Sequence, residues 1–399
     1  MKKFRRILGV GVLGIAGLFF ISSFVFSSRE TYKPLSKGLV AGEVKKKEVS
    51  HLKTPEPLKG VYMTACYAGT PSLRSKVVKL IDETELNAVV IDIKDYSGTV
   101  SFATGDPSIE ALGGSGKGCK VSDMREFLEE LHDKKIYVIG RVTVFQDQIY
   151  TKVHPSSAVK KANGVDIWKD RKGLSFVDVG AKDFWDYTVS IATSSYAAGF
   201  DEINFDYIRF PSDGDMKDIS FTHSLGKTKK QALKEFFEYL DQKLRSTKVV
   251  TSADVFGMTT TNTDDLNIGQ VLEYALLNFD YVAPMVYPSH YPPKFNGWPD
   301  PNKVPYEIVK FSMDAAVART NFLHTEISTT TASSTPDKRL MKRINPLQLR
   351  PWLQDNDYPV HYTVDMIRKQ IQATYDSGLT SWMLWDPANT YTRAALLDQ

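Results

Sequence analysis

Polar side chains alternate with apolar ones along the short segment GFDEINFDYIRFP, residues 199–211. If this segment is a β-strand, Glu202, Asn204 and Asp206 all point to the same face. Carboxyl and amide groups on a buried face are costly unless they are paired or functional, and two carboxyl groups could perform acid–base chemistry. Arg209 follows within reach of Asp206, so an ion pair that only fixes the loop is the alternative to a catalytic role.

Charged residues also occur in the two preceding apolar segments. Asp92 and Lys94 share one face of AVVIDIKDYSG, and Asp95 follows in the loop, where the three could bind a ligand or form only a solvated cluster of salt bridges. Arg141 lies deep within KIYVIGRVTVFQD. A buried Arg needs a carboxylate, for which Asp92 and Asp206 are the candidates. Such a pair would lower the pKa of the carboxyl group, which suits a nucleophile, although a purely structural pair is the alternative.

Later segments supply a second acid and an aromatic rim. Asp254 in TSADVFG is the second carboxyl group that we expect in the same cavity. Tyr287 and His290 in FDYVAPMVYPSHYP, together with Trp385 at the end of the last apolar segment, place aromatic rings around it. Such rings combine a large apolar face with a polar edge, which suits the binding of a sugar ring.

Several other chemistries lack their sequence patterns. The chain has no G-x-S-x-G segment, its His residues show no metal-ligand spacing, and no glycine-rich phosphate loop follows the first apolar segment. A metal site built only from carboxylates, such as Asp92 with Asp206, stays open, and no cofactor is predicted. The net charge is only +3 and no basic stripe crosses the body of the chain, so nucleic-acid binding is not expected.

Short apolar segments alternate with amphipathic ones from residue 60 onward, which is typical of parallel β/α units. The predicted strands are 60–64, 88–92, 136–144, 202–207, 249–255, 281–287, 347–352 and 380–385. The predicted helices are 73–84, 124–134, 182–198, 229–246, 268–278, 305–319 and 364–377. This count predicts a closed (β/α)₈ TIM barrel, in which active sites gather at the carboxyl ends of the strands. An open doubly wound sheet is the alternative.

The N-terminus predicts export. Four basic residues precede an apolar run, residues 7–26, that is long enough to span a bilayer, and the basic flank should remain cytoplasmic. We therefore expect residues 1–27 to be a signal anchor, with a cleaved signal peptide as the alternative. Residues 28–57 are polar and Lys-rich, which predicts a flexible stalk, and residues 58–399 form the folded domain.

Two further features of that domain are its cysteines and a polar stretch near its C-terminal end. Cys66 and Cys119 are the two cysteines of the chain, and a disulfide and two buried thiols are both consistent with the sequence. Residues 326–339 are rich in Ser and Thr, which predicts a surface insertion late in the domain.

The strings GVYMTACYAG, NAVVIDIKDYSG, GFDEINFDYIRFPSDG and APMVYPSHY resemble a bacterial family of putative glycoside hydrolases, which are predicted TIM barrels. The resemblance covers about residues 58–386. A looser resemblance connects the fourth strand to chitinase-type barrels, with Asp201, Asn204 and Asp206 at the three acidic positions of their motif. Ile208 stands where the proton-donating Glu of that family belongs, so an acid would have to come from another strand.

Residues and resemblance together predict an exported, monomeric enzyme that cleaves a glycosidic bond in a cell-surface or extracellular polysaccharide. We expect Asp206 to be the nucleophile or base, Asp254 the acid, and Glu202 a reserve acid lower in the barrel. A non-catalytic carbohydrate-binding barrel and a metal-dependent hydrolase, such as a polysaccharide deacetylase, are the alternatives. The predicted substrate contacts are Asp92, Lys94, Asp95, Arg141, Asn204, Arg209, Tyr287, His290 and Trp385.

Overall fold

A closed barrel of eight parallel strands forms the centre of the computed structural model, which describes residues 49–112, 117–330 and 343–399. Each strand pairs with the next along the chain, and β8 pairs with β1. The strands are β1 (Lys59–Met63), β2 (Ala88–Lys94), β3 (Tyr137–Thr143), β4 (Glu202–Asp206), β5 (Val250–Phe256), β6 (Tyr281–Met285), β7 (Trp352–Gln354) and β8 (Trp382–Trp385). The predicted eight-stranded parallel barrel is therefore confirmed.

Helices connect the strands and surround the barrel. They are α1 (Ala65–Ala68), α2 (Pro71–Asp82), α3 (Pro107–Leu112), α4 (Met124–Asp133), α5 (Gln148–Val153), α6 (Lys182–Ala198), α7 (Lys229–Leu244), α8 (Leu272–Asn278), α9 (Pro305–Thr330) and α10 (Val364–Asp376). Local sequence explains their ends and their buried faces. Thr228 forms a capping box with Gln231 at the start of α7, which satisfies backbone N–H groups that have no partner inside the helix.

Two boundaries differ most from the prediction. Helix α9 continues to Thr330, so the beginning of the predicted surface insertion is helical, and the part at residues 331–339 lies outside the described residues. Strand β7 begins only at Trp352, because Pro346–Gln348 forms a 3₁₀ turn. Pro346 cannot donate a ladder hydrogen bond, and Asn345 caps the turn by accepting from the backbone of Leu347.

The apolar core has two layers, as the alternation along each strand dictates. Side chains such as Val89, Ile91 and Phe205 point outward and pack against the helices in the larger cluster. Side chains such as Val90 and Ile139 fill the interior of the barrel. This interior packing leaves the polar residues of the strands to gather in layers of their own.

Residues 51–54 pack against the amino-terminal end of the barrel. The backbone N–H of Leu52 donates to Asp201 at 2.7 Å, and the hydroxyls of Thr54 and Tyr137 are 3.0 Å apart. The ring of His51 stacks on Tyr196 with centroids 3.8 Å apart. We had expected a flexible stalk to continue through residue 57, but these contacts make residues 51–54 part of the folded unit.

Cys66 and Cys119 form a disulfide between α1 and the segment before α4, with their Cα atoms 4.9 Å apart. The question left open by the sequence is thereby answered in favour of the disulfide. None of the helices within residues 49–112, 117–330 and 343–399 is both long and apolar enough to cross a membrane. The predicted signal anchor, residues 1–27, lies outside the described residues.

Candidate active site

A buried guanidinium group joins two carboxylates at the carboxyl end of the barrel. Arg141 donates to Asp92 Oδ1 at 2.6 Å and to Asp206 Oδ2 at 2.5 and 3.0 Å. The hydroxyl of Tyr62 donates to the other oxygen of Asp92 at 2.5 Å. The four side chains come from β1, β2, β3 and β4, so neighbouring strands supply consecutive members of one network.

Strand register explains why these side chains meet. Asp92 is the Cα partner of Arg141 across β2 and β3, and Arg141 is the partner of Asn204 across β3 and β4. Asp206 lies two residues further along β4, on the same face as Asn204. Parallel strands bring such residues to one end of the barrel, where the long side chain of Arg141 can reach both carboxylates.

Asp254 on β5 completes a set of three carboxyl groups. Its Oδ1 accepts from Asn204 Nδ2 at 2.9 Å and from the indole N–H of Trp352 at 2.9 Å. Its Oδ2 accepts no hydrogen bond from the described residues and is not fully enclosed. Both donors therefore fix one oxygen of Asp254 and leave the other available.

The surroundings of Asp254 favour its protonated form. Asp254 is only 2% exposed. Burial, together with the nearby carboxylate of Asp206, raises the pKa of Asp254 to about 8. Hydrogen bonds from Asn204 and Trp352 and the charge of Arg141 oppose this shift without cancelling it. At neutral pH the carboxyl group of Asp254 therefore holds a proton.

Arg141 stays charged despite its burial. Burial disfavours the guanidinium charge, but the carboxylates of Asp206 and Asp92 outweigh this effect and hold the pKa of Arg141 well above its ordinary value. Burial raises the pKa of Asp92, and Arg141 and the Tyr62 hydroxyl act in the opposite direction. The network thus keeps one fixed positive charge beside Asp206.

The residue after Asp206 has an unusual backbone conformation. Tyr207 has φ +52°, the left-handed region that a bulky residue rarely adopts. In this conformation its backbone N–H donates to Asp206 Oδ1 at 2.6 Å. Strained residues of this kind cluster at functional sites, where the surrounding structure holds them in place. The strand therefore ends in a turn that orients the carboxylate of Asp206.

Aromatic side chains enclose the polar network. Trp385 stacks on Tyr62 with ring centroids 4.1 Å apart and lies 5.4 Å from the guanidinium carbon of Arg141. Tyr287 is buried within 6.4 Å of the Trp385 ring, and Trp352 meets that ring edge-on at 5.7 Å. Trp385, one of the aromatic residues predicted for the rim, is half-buried and packs against the guanidinium group of Arg141.

Glu202 is separated from this cluster in the lower part of the barrel. It pairs with Arg350 at 2.9 Å and accepts from the hydroxyl of Tyr137 at 3.1 Å. That hydroxyl also contacts Thr54 in the segment that covers the amino-terminal end. This position ties Glu202 to the closed end of the barrel, which does not suit its predicted role as a reserve acid.

Lys94 does not share a face with Asp92, contrary to the prediction. A register shift between Asp92 and Lys94 interrupts the pairing of β2 with β3. Lys94 instead forms a buried ion pair with Asp147 at 2.6 Å and lies 5.6 Å from the ring centroid of Phe184 in the outer layer. Asp95 accepts from the backbone and hydroxyl of Ser97 and so closes a turn in the loop after β2.

Arg209 and His290 lie away from the carboxyl groups. Arg209 donates to the carbonyl of Phe210 and the hydroxyl of Ser212, both at 3.2 Å, and makes no ion pair with Asp206. The alternative of an Asp206–Arg209 ion pair is therefore wrong. His290 is exposed, and its ring lies 5.0 Å from that of Tyr287.

Two contributors escaped the sequence reasoning. Tyr62 and Trp352 orient Asp92 and Asp254 through hydrogen bonds. Tyr62 stands at an alternating position of β1, which could have identified it as an inward side chain. Trp352 gave no comparable signal, because strand β7 has only three residues and its predicted position ended where the strand begins.

No group of three or more His, Cys, Asp or Glu side chains within the described ranges is arranged to hold a metal ion. Asp92 and Asp206, the pair considered for a carboxylate site, are instead joined by Arg141.

A closed parallel barrel with paired carboxyl groups at its carboxyl end is the architecture of many glycoside hydrolases. The model of one sequence family, the putative glycosyl hydrolase domain, matches residues 60–391. The chain therefore belongs to this family. A search of curated protein sequences found no match.

One solved structure with a TM-score above 0.5 shows the same fold, and two further solved structures are similar at lower TM-scores. The glycoside hydrolase domain of PgaB (BpsB) from Bordetella bronchiseptica is 13% identical, covers 83% of this chain and 94% of its own, and has a TM-score of 0.56. A hypothetical protein from Ruminiclostridium thermocellum is 36% identical over 49% of this chain and 97% of its own, with a TM-score of 0.44. A chitinase from Chromobacterium violaceum is 11% identical, with a match that covers 85% of this chain and 96% of the chitinase, and has a TM-score of 0.48.

Proposed function

We propose that the chain hydrolyses a glycosidic bond in a cell-surface or extracellular polysaccharide. Asp254 donates a proton to the leaving oxygen, and Asp206 acts as the nucleophile or the base. One observation carries this proposal: Asp254 has a pKa of about 8, while Asp206 accepts charged hydrogen bonds from Arg141. Glycoside hydrolysis needs one protonated and one ionised carboxyl group, and the two surroundings favour this division.

The hydrogen bonds of Asp254 also determine where its proton lies. Asn204 and Trp352 both donate to Oδ1, and an oxygen that already accepts two N–H groups is a poor place for a proton. The proton therefore resides on Oδ2, which has no partner among the described residues. This is the oxygen from which a proton can pass to a bound substrate.

Arg141 positions Asp206 for the reaction. It binds a single oxygen of Asp206 through two N–H groups, and the backbone of Tyr207 binds the other oxygen. Asp92 offsets the charge of Arg141, and the hydroxyl of Tyr62 fixes Asp92. We expect Trp385 and Tyr287 to contact the sugar ring beside these carboxyl groups, and Asn204 to hold the acid.

A non-catalytic carbohydrate-binding barrel is the second candidate. Ile208, at the position of the proton-donating Glu in chitinase-type barrels, is fully buried in the outer layer. Asp206 and Asp254 are also only 5% and 2% exposed, so a substrate must displace part of the aromatic cover to reach them. In this proposal either activity lies outside the cytoplasm, on the basis of the apolar run at residues 7–26 of the sequence.

Release of reducing ends from a panel of polysaccharides tests the proposal. We expect the wild-type chain to cleave at least one glycan, and Asp254→Asn and Asp206→Asn each to lower kcat by 100-fold or more, roughly the contribution of acid–base catalysis. Asp133→Asn, an exposed change on α4, is the matched control and should retain full activity. Glycan binding without cleavage would favour the binding barrel, and loss of activity with EDTA would favour a metal-dependent hydrolase.

A further inference from the structure

A pocket opens between the loops that follow β2, β3 and β4, at the end of the barrel that carries the candidate catalytic residues. Its volume is about 450 Å³, which lies within the range of small-molecule sites. Tyr207 forms part of its wall and directly follows Asp206, so the pocket lies next to the end of β4. The residues that matter for its chemistry are Tyr96, Asp170, Lys172, Tyr207, Arg209 and Asp213.

The acidic side chains of this pocket already have partners. Asp170 Oδ1 accepts from the backbone N–H groups of Lys172 and Leu174 at 2.9 and 2.8 Å, so it shapes its own turn. Asp213 forms an ion pair with Arg171 at 3.4 Å, and Arg171 does not line the pocket. Arg171 thus offsets the charge of Asp213, whereas Asp170 keeps its charge and forms no ion pair with a described residue. Arg209 and Lys172 outnumber this one unpaired acid, so the pocket has a net positive charge.

The basic side chains are not committed in this way. Arg209 is half-buried, uses only Nη1 in its two hydrogen bonds, and forms no ion pair with a described residue. Lys172 is exposed and likewise forms no ion pair within the described ranges. A half-buried guanidinium group with most of its donors unused has a preference for planar anions, which it can bind with two parallel hydrogen bonds.

Aromatic rings flank this positive charge. The guanidinium carbon of Arg209 lies 5.0 Å from the ring centroid of Tyr207, which restricts the orientation of the guanidinium plane. Tyr96 is 54% exposed, although a ring of this size usually buries most of its surface. An exposed aromatic side chain and an unpaired cation in one pocket fit a ligand that is both ring-shaped and anionic.

We propose that this pocket binds a sugar residue that carries a carboxylate, with Arg209 pairing with the carboxylate and Tyr96 stacking on the ring. The inference deepens the proposed function and rests on it for one point, that the bound residue neighbours the cleaved bond. It makes the substrate an acidic polysaccharide. The carboxylate could belong to a uronic acid or to a lactyl ether on an amino sugar, and both offer Arg209 the same planar anion.

Binding measured without turnover tests this inference separately from catalysis. The full chain carrying Asp254→Asn is titrated by calorimetry with an oligogalacturonate hexamer, its carboxyl-reduced form, a peptide-free peptidoglycan hexasaccharide with free lactyl carboxylates, and chitohexaose. The last two differ by the lactyl carboxylates, so each acidic probe has a neutral counterpart. We expect the chain to bind one acidic probe at least 10-fold more tightly than its counterpart, and the preferred pair identifies the source of the carboxylate.

Three variants locate the effect. Arg209→Gln should weaken binding of the acidic probe by about 10- to 100-fold and leave the neutral probe unchanged. Lys169→Gln removes one positive charge from an exposed residue outside the pocket that forms no ion pair within the described ranges, and it should change neither. Tyr96→Ala should weaken both probes alike.

Equal affinity for acidic and neutral probes, or an equal loss with Lys169→Gln and Arg209→Gln, would overturn the inference. Selective binding by a chain that cleaves none of the probes would leave the pocket assignment standing and contradict only the hydrolytic function.

Discussion

Replacing Asp254 by Asn should stabilise the protein at high pH. Asn keeps an acceptor oxygen for Asn204 and Trp352 and carries an N–H group where the protonated carboxyl carries O–H. It therefore reproduces the neutral form of Asp254 but cannot ionise. The wild-type chain, by contrast, must form a buried negative charge near Asp206 as the pH rises.

The sign and size of the effect follow from proton linkage. The ordinary pKa of an Asp is 3.8, whereas that of Asp254 in the folded chain is about 8. Between these values the folded state holds a proton that the unfolded state has lost, so the free energy of unfolding falls as the pH rises, by up to about 1.4 kcal/mol per pH unit. The contribution is fully present below pH 3.8 and lost once the pH has passed about 8.

Urea unfolding of both chains between pH 5 and pH 10 measures this difference. We expect the advantage of Asp254→Asn to grow by several kcal/mol, roughly 3–4 at most, from pH 5 to pH 8 and then to level off. Asp133→Asn, at an exposed position, should show no such pH dependence. A stability difference that stays constant across this range would refute the assignment of Asp254 as a buried acid.

Three further changes probe the frame around the site. Glu202→Gln should lower the free energy of unfolding by about 3–5 kcal/mol in urea titrations, because it leaves the buried Arg350 without its carboxylate; unchanged stability would contradict the role assigned to this pair. A chain that begins at residue 58 should melt at a lower temperature than one that begins at residue 49, since it lacks the hydrogen bonds and packing of residues 51–54; equal melting temperatures would place this segment outside the folded unit. Reduction of the Cys66–Cys119 disulfide should lower the free energy of unfolding by about 4 kcal/mol, which is the chain-entropy value for a sequence separation of 53 residues. An unchanged urea midpoint would contradict a stabilising role for this disulfide.

The barrel could be predicted because its signals are local. Alternation along β4 placed Glu202, Asn204 and Asp206 on one face, and the structure has all three inside the barrel. A buried Arg must find a carboxylate, so the partners of Arg141 could also be named in advance. Both inferences depend on physical rules that act within a strand or between neighbouring strands.

Other features depend on contacts between distant parts of the chain. A register shift in β2 directs Lys94 to Asp147, and no residue pattern in the strand signals that shift. Glu202 lies lower in the barrel than Asp254. Its position there depends on an ion pair with Arg350, which is 148 residues away along the chain. Likewise, the N–H that fixes Asp254 comes from Trp352, 98 residues away.

The protonation state of Asp254 is the centre of the account, and carbon-13 NMR of the aspartate side-chain carboxyls measures it directly. The signal of Asp254 is the one that disappears in Asp254→Asn. We predict that this carboxyl titrates near pH 8 in the wild-type chain and at a lower pH in Asp206→Asn, because the neighbouring negative charge is then absent. Titration near the ordinary value of 3.8 in the wild-type chain would contradict the assignment of Asp254 as the acid.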